Sequence, residues 1–277
     1  MERGALLRRA GVVLAVSVPL MLGFGPAAGG RPIVRSAEVA GAVLPSVALE
    51  RDGAMLGAIL RDLRARDGST EERAPRPEPA LLARIPRAMR ITAHPGGGRT
   101  VGTMPAGSKY YHEPITAWVI DVARRGRFGE VTVPYSGSGR TGWIPIRGLR
   151  RDATWVTVRV DLSRHLLVVE KRDRVLGRFP AATGAPVSPT PPGRYFVTDR
   201  VAFSAGSYYG TFAFGISGIQ TRLPPGWSGG NQLAIHGTNS PSSIGRSVSA
   251  GCLRVSEAAL DRLKPLLQLG TPVIVRP

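Results

Sequence analysis

The sequence predicts a mainly β protein in two folded parts with one short helix near the end, and three observations predict it. Trp155-Val-Thr-Val-Arg-Val-Asp-Leu162 alternates apolar and polar residues as a half-buried strand does, and further strand-like runs follow it. Residues 85–150 hold short β-prone runs separated by glycine turns, the spacing of a small β-barrel. The clearest helix signal, Ser256 as N-cap followed by Glu257, soon meets Pro265, which ends or kinks a helix.

Taken in order, the chain begins with a positive stretch at Arg3, Arg8 and Arg9, then an apolar run from Ala10 to Phe24. Gly-Pro-Ala-Ala-Gly-Gly follows, which places a cut near Ala28. Residues 1–28 read as a signal peptide, so the protein is expected outside the cytoplasm, in the cell wall or periplasm. The run is short for a membrane span, which needs ~20 residues, and an uncleaved anchor is the alternative. Residues 29–84 read as a linker. Within it, Leu56, Ile59, Leu60 and Leu63 recur at helical spacing in 47–66, and the proline- and charge-rich stretch 67–80 reads as a solvated tether.

In the module 85–150, Arg90-Ile-Thr-Ala93, Ala117–Ala123, Glu130–Tyr135 and Arg140–Pro145 are strand candidates, and Pro95-Gly-Gly-Gly98 is a turn. Its last run, Gly139-Arg-Thr-Gly-Trp-Ile-Pro145, resembles the closing strands of bacterial Src-homology-3-like barrels. From 154 to 277, strands are expected at 155–162, 166–170, from 175, 194–201, 232–235 and 271–275. His165 is expected to be exposed in a hairpin turn. Residues 204–230, rich in Gly, Ser, Tyr and Trp, are expected to form a loop walling a cleft, with Tyr208, Tyr209 and Trp227 as candidate substrate-packing groups.

Net charge is +18, from 37 basic against 19 acidic residues, and all but Lys109, Lys171 and Lys264 of the basic ones are Arg. Such a balance favours anionic partners, and polymers of a cell envelope fit it. Nucleic acid is excluded as the main partner, because no zinc-ligand spacing, helix-turn-helix pattern or aromatic RNA-binding motif is present.

Residues 234–256 carry the chemistry. Cys252 is the single cysteine of 277 residues and His236, one of four histidines, precedes it by sixteen positions. A thiol is a strong nucleophile only as thiolate, and a neighbouring imidazole is a common activator. An internal disulfide is impossible with one cysteine, and catalysis gives an exported thiol a reason to exist. The positive charge of Arg246, Arg254 and an imidazolium is expected to lower the Cys252 pKa. No metal or other cofactor is called for, since thiol chemistry needs none and the histidines do not cluster.

His236-Gly-Thr-Asn, a spacer with Ile244-Gly245, then Ser249-Ala-Gly-Cys-Leu-Arg254 resembles the active-site motif of YkuD-type L,D-transpeptidase catalytic domains. Where that family most often has a second histidine, this chain has Ala250. The resemblance spans 154–277 and implies a mixed β-sandwich. It implies Cys252 as nucleophile and His236 as base, with Gly237, Ser249, Gly251, Leu253 and Arg254 binding substrate or holding the oxyanion. It further implies peptidoglycan stem peptides as substrate: Cys252 takes the acyl group, D-alanine leaves, and an acceptor amine forms the cross-link. With water as acceptor the same site is an L,D-carboxypeptidase. A wall-binding protein with a decayed site is the reading from another class.

Overall fold

The structure is a computed structural model and describes residues 78–277 apart from Ser138. The signal-peptide reading and the helix at 47–66 lie outside the described residues.

A first sheet is built from β1 (Ala80–Arg84), β2 (Met89–His94), β3 (Gly97–Met104), β4 (Thr116–Ala123), β5 (Phe128–Thr132), β6 (Thr141–Pro145) and β7 (Arg151–Thr154). Its order is β3-β2-β6-β5-β4-β1-β7. The hydrogen-bonded order of this module, where a small barrel is expected, ends at β3 and β7. β1 lies inside the stretch read as linker: Ala80-Leu-Leu-Ala-Arg is a short apolar run between Pro79 and Pro86, and Leu82 and Ala83 are buried. β3 begins at Gly97, within the run read as a turn, because the turn itself needs only Pro95 and Gly96, the latter at φ 87°.

The remaining elements are β8 (Val156–Asp161), β9 (Leu166–Lys171), β10 (Arg174–Pro180), β11 (Thr183–Gly184), β12 (Gly193–Ala202), β13 (Phe212–Ile219), β14 (Gln232–His236), β15 (Ser247–Ser249), β16 (Leu253–Arg254), helix α1 (Glu257–Leu263) and β17 (Pro272–Arg276). Eight of the strands run β10-β9-β8-β17-β12-β13-β14-β16, and β11 pairs with β15. Pairs β8–β17 and β14–β16 are parallel and their neighbours antiparallel, so the sheet is mixed. β12 belongs to both halves: Gly193–Phe196 pairs with β17 and Val197–Ala202 with β13. The two halves close on one core, in which Val158, Val160 and Leu167 meet Phe214, Ile216, Leu233 and Ile235. This is the mixed β-sandwich. Helix α1 adds Leu260 and Leu263 to that core; it starts where Ser256 Oγ accepts from Ala259 N–H at 3.2 Å, with Glu257 in its first turn.

Two expectations are corrected here. Residues 204–230 are not loop throughout, since the eight residues of β13 cross them as a fully embedded strand. Phe214 and Ile216 face the core, while Gly215 and Gly218 sit where a methyl would collide with Asp199, Gln232 and the Tyr195 ring. The glycines that read as loop are there for close packing. His165 is half-buried rather than exposed, with Nε2 3.0 Å from Ser247 Oγ.

The sheets are seated directly on each other. Phe196, on β12, is fully buried in the core of the first sheet. Thr132 Oγ1 donates to Arg194 O at 2.7 Å, and Tyr135 N–H to Ser217 O at 2.7 Å.

Candidate active site

β14 runs from Gln232 to His236 and β16 lies parallel to it, with Ile235 opposite Leu253 and His236 opposite Arg254. That register brings Cys252, just before β16, beside β14. The Cys252 thiol points at Gln232 O, 3.8 Å away, and Ala234 N–H faces its sulfur. Cys252 and His236 both line a cavity of about 330 Å³.

The turn that carries Cys252 is held by Ser249. Its Oγ donates to Cys252 O at 2.6 Å and accepts from Gly251 N–H at 3.1 Å. Gly251 sits at φ 112°, and a methyl on it would lie 2.7 Å from Gln220 Nε2, so glycine is required there on both counts. The Gly251 N–H is engaged by Ser249 and the Leu253 N–H by the pairing of β16 with β14, so of the oxyanion donors suggested by the motif the Cys252 N–H is left.

His236 is 1% exposed. Its Nδ1 lies 2.6 Å from Gly237 O, which can only accept, so Nδ1 carries the hydrogen and Nε2 is left with the lone pair. Burial, with a smaller push from the Arg254 guanidinium, holds the imidazole down at about 4. Burial also raises the Cys252 thiol to about 11, against the opposing pull of Ala234 N–H and Arg254. The expected lowering of the thiol pKa by positive charge is therefore overturned: desolvation outweighs Arg254, and Arg246 is exposed to solvent. The resting pair is neutral thiol and neutral imidazole.

The remaining candidates divide. Ser249, Ala250, Arg254, Tyr208, Tyr209 and Trp227 line the cavity. Arg254, 8% exposed, hydrogen-bonds Tyr208 and sits over its ring, 4.9 Å from the centroid. The Tyr209 ring stands edge-on to His236 at 5.1 Å. Trp227 Nε1 donates to Gly230 O at 3.0 Å and closes its own loop. Gly237 packs against Glu257, Leu260 and the backbone of Gly210, and Leu253, 1% exposed, belongs to the core. Neither side reaches the cavity, so both serve its shape.

Sequence reasoning missed the far wall, which comes from the first sheet. Tyr110 and Tyr111, in the segment between β3 and β4, line the cavity and are 47% and 50% exposed. Lys109 Nζ donates to Asn231 Oδ1 at 2.6 Å, and Asn231 N–H donates to Tyr110 OH at 3.3 Å. The signal was an adjacent tyrosine pair, which a β module has no need to expose. Among the described residues, no group of three or more His, Cys, Asp or Glu comes together as a metal site.

The fold and the site define a class: a β-sandwich that brings one cysteine and one buried histidine together at parallel strand ends in an aromatic-walled cleft. Residues 156–275 match the L,D-transpeptidase catalytic domain family, YkuD. The chain is 30% identical over 135 residues to YkuD of Bacillus licheniformis, 48% of this chain and 74% of that protein. Among solved structures, an L,D-transpeptidase from Mycobacterium smegmatis aligns at 16% identity and TM-score 0.38, over 73% of this chain and all of that one. An L,D-transpeptidase of Enterococcus faecium aligns at 20% identity and TM-score 0.35, over 44% of this chain and 49% of that one, about half its length. On the sequence matches, the chain belongs to the YkuD family of L,D-transpeptidase catalytic domains.

Proposed function

We propose that this protein is a peptidoglycan L,D-transpeptidase acting through an acyl-enzyme on Cys252. The observation that carries the reading is the placement of the chain's single thiol and a fully buried histidine in one cavity, with a serine holding the nucleophile turn. The Cys252 sulfur attacks the carbonyl carbon of the bond to the terminal D-alanine of a stem tetrapeptide, and the thiol proton passes to His236. As the C–N bond breaks, the imidazolium returns that proton to the departing D-alanine amine. An acceptor amine then attacks the thioester and gives its proton to His236, and the released sulfur recovers it.

Because the resting pair is neutral, the proton moves as the C–S bond forms; no thiolate waits in the site. One oxyanion donor is worth roughly 3 kcal/mol of barrier, and the Cys252 N–H is the donor this reading assigns to that role. The exported location rests on residues 1–28, and the charge of +18 suits an anionic envelope.

The test is incubation of the purified protein with disaccharide tetrapeptides, followed by mass analysis. Cross-linked dimers and free D-alanine are expected, and Cys252→Ala should yield neither at matched thermal stability. Tripeptide without dimer would mark an L,D-carboxypeptidase. A fully active Cys252→Ala variant would remove the assignment. Intact-mass measurement after carbapenem treatment should show one added drug mass, absent in Cys252→Ala.

A further inference from the structure

Strands β12, β13 and β14 lie side by side, and Val201, Ala213, Gly215, Gln232, Ala234 and His236 all line the cavity. Residues two apart on a strand share a face, so this face is the cavity floor. Asp199 stands two residues before Val201 and pairs in register with Gly215, which pairs in turn with Ala234. Asp199 is thus in register with the floor residues Gly215 and Ala234, and lies buried beside them without itself lining the cavity. Gly215 has no side chain to cover the carboxylate: a methyl there would fall 2.5 Å from Asp199 Oδ2.

Asp199 is 0% exposed. Oδ2 accepts from Thr198 Oγ1 at 2.7 Å and from Gln232 Nε2 at 2.7 Å. Oδ1 has no hydrogen-bond partner, and neither has Oε1 of the adjoining Gln232. The ion pairs of the described residues, Arg159–Glu170 and Lys264–Asp261, leave Asp199 out. A buried carboxylate is ordinarily paired with a cation, because the unpaired charge is costly to desolvate. Two neighbouring acceptors without donors match a group that has several donors and no acceptor, which describes an ammonium. Two oxygens are too few to hold a metal ion.

The opposite wall agrees. Tyr110 and Tyr111 line the same cavity, and aromatic faces attract cations; Lys109 Nζ already lies 5.3 Å from the Tyr110 centroid. The Tyr111 hydroxyl has its pKa raised, first by burial and then by the charge of Asp199, which places the carboxylate within electrostatic reach of that wall. The cation of the cavity, Arg254, is engaged with Tyr208 instead.

We propose that Asp199 and Gln232 form the counter-site for a primary ammonium group of the substrate, seated between Gly215 and the Tyr110–Tyr111 wall. The proposal rests on the stem-peptide reading above. The side-chain amine of the donor's third residue carries the required chemistry, since the acceptor amine has to be unprotonated to attack the thioester.

The test uses the whole chain carrying Cys252→Ala and the tetrapeptide L-Ala–γ-D-Glu–L-Lys–D-Ala, with its lysine amine free or acetylated, measured by calorimetry. The free amine is expected to bind on the order of tenfold tighter or more. Adding Asp199→Asn, which keeps an acceptor for Thr198 and Gln232 but removes the charge, should erase that preference. In the reactive protein, the free-amine peptide is also expected to release D-alanine faster at low peptide concentration, and Asp199→Asn should remove that difference. Equal binding of the two peptides, or a preference that survives Asp199→Asn, overturns the proposal; the first comparison needs no variant to fold. Turnover of both peptides with equal binding would leave the transpeptidase reading standing without the ammonium site. A binding preference without turnover of either peptide would do the reverse.

Discussion

Burial governs the chemistry of His236 more than any single neighbour does. Its pKa in the folded chain is about 4, against 6.5 for the free side chain. The unfolded chain therefore binds the proton more readily, and the folded state loses ground as pH falls from 6.5 toward 4. Across that window the loss amounts to about 3 kcal/mol; above pH 6.5 the residue adds no pH dependence. Thermal melting in steps from pH 7.5 to pH 4 should show a falling midpoint, and His236→Gln should flatten that part of the curve. An unchanged slope in the variant would mean that the imidazole is not buried as a neutral ring. The same desolvation acts on Cys252, so its alkylation by iodoacetamide should keep accelerating above pH 9, where an ordinary thiol levels off.

At the scale of elements, the site depends on a close meeting of the 204–211 segment, the end of β14 and helix α1. Thr211 Oγ1 donates to Glu257 Oε2 at 2.6 Å. A methyl on Gly237 would strike the Glu257 carboxylate and lie 2.8 Å from Leu260 Cδ1 and 3.0 Å from Gly210 Cα. Gly237→Ala should cost about 2 kcal/mol of stability by overpacking, read as a shifted urea midpoint. A variant as stable as wild type would show that the three elements part freely. Much of this arrangement was legible in the sequence. β8 announces itself by alternation, β9 and β14 by short apolar runs, helix α1 by Ser256 and Pro265, and the Cys252–His236 pair by its motif. Local pattern could not reveal β13, because a strand lining a cleft on one face needs Ala213 and Gly215 there, and small residues imitate a loop. It could not reveal Asp199 either, whose meaning depends on the register that sets it opposite Gly215. The thiol pKa was misjudged because charges are visible in a sequence and desolvation is not.

At the scale of the molecule, the cleft is shared property of two sheets. A fragment of residues 155–277 would uncover Phe196 and lose Tyr110, Tyr111 and the Lys109–Asn231 hydrogen bond. Exposing a phenylalanine of that burial costs roughly 1.5–3 kcal/mol, so the fragment should unfold at lower urea than the whole chain. Phe196→Ser in the fragment should restore solubility without restoring the missing wall, and peptide turnover should remain weak. Full turnover by the fragment would show that the first sheet is dispensable to the site. One feature of the whole chain bears on its survival. With a single sulfhydryl in 277 residues, an oxidised Cys252 has no second thiol in the chain to form a disulfide with and be rescued. Peroxide attacks the thiolate, and at pH 7 a group with a pKa of about 11 is ionised in roughly one molecule in ten thousand. The desolvation that keeps the Cys252 thiol protonated thereby also shields it from peroxide.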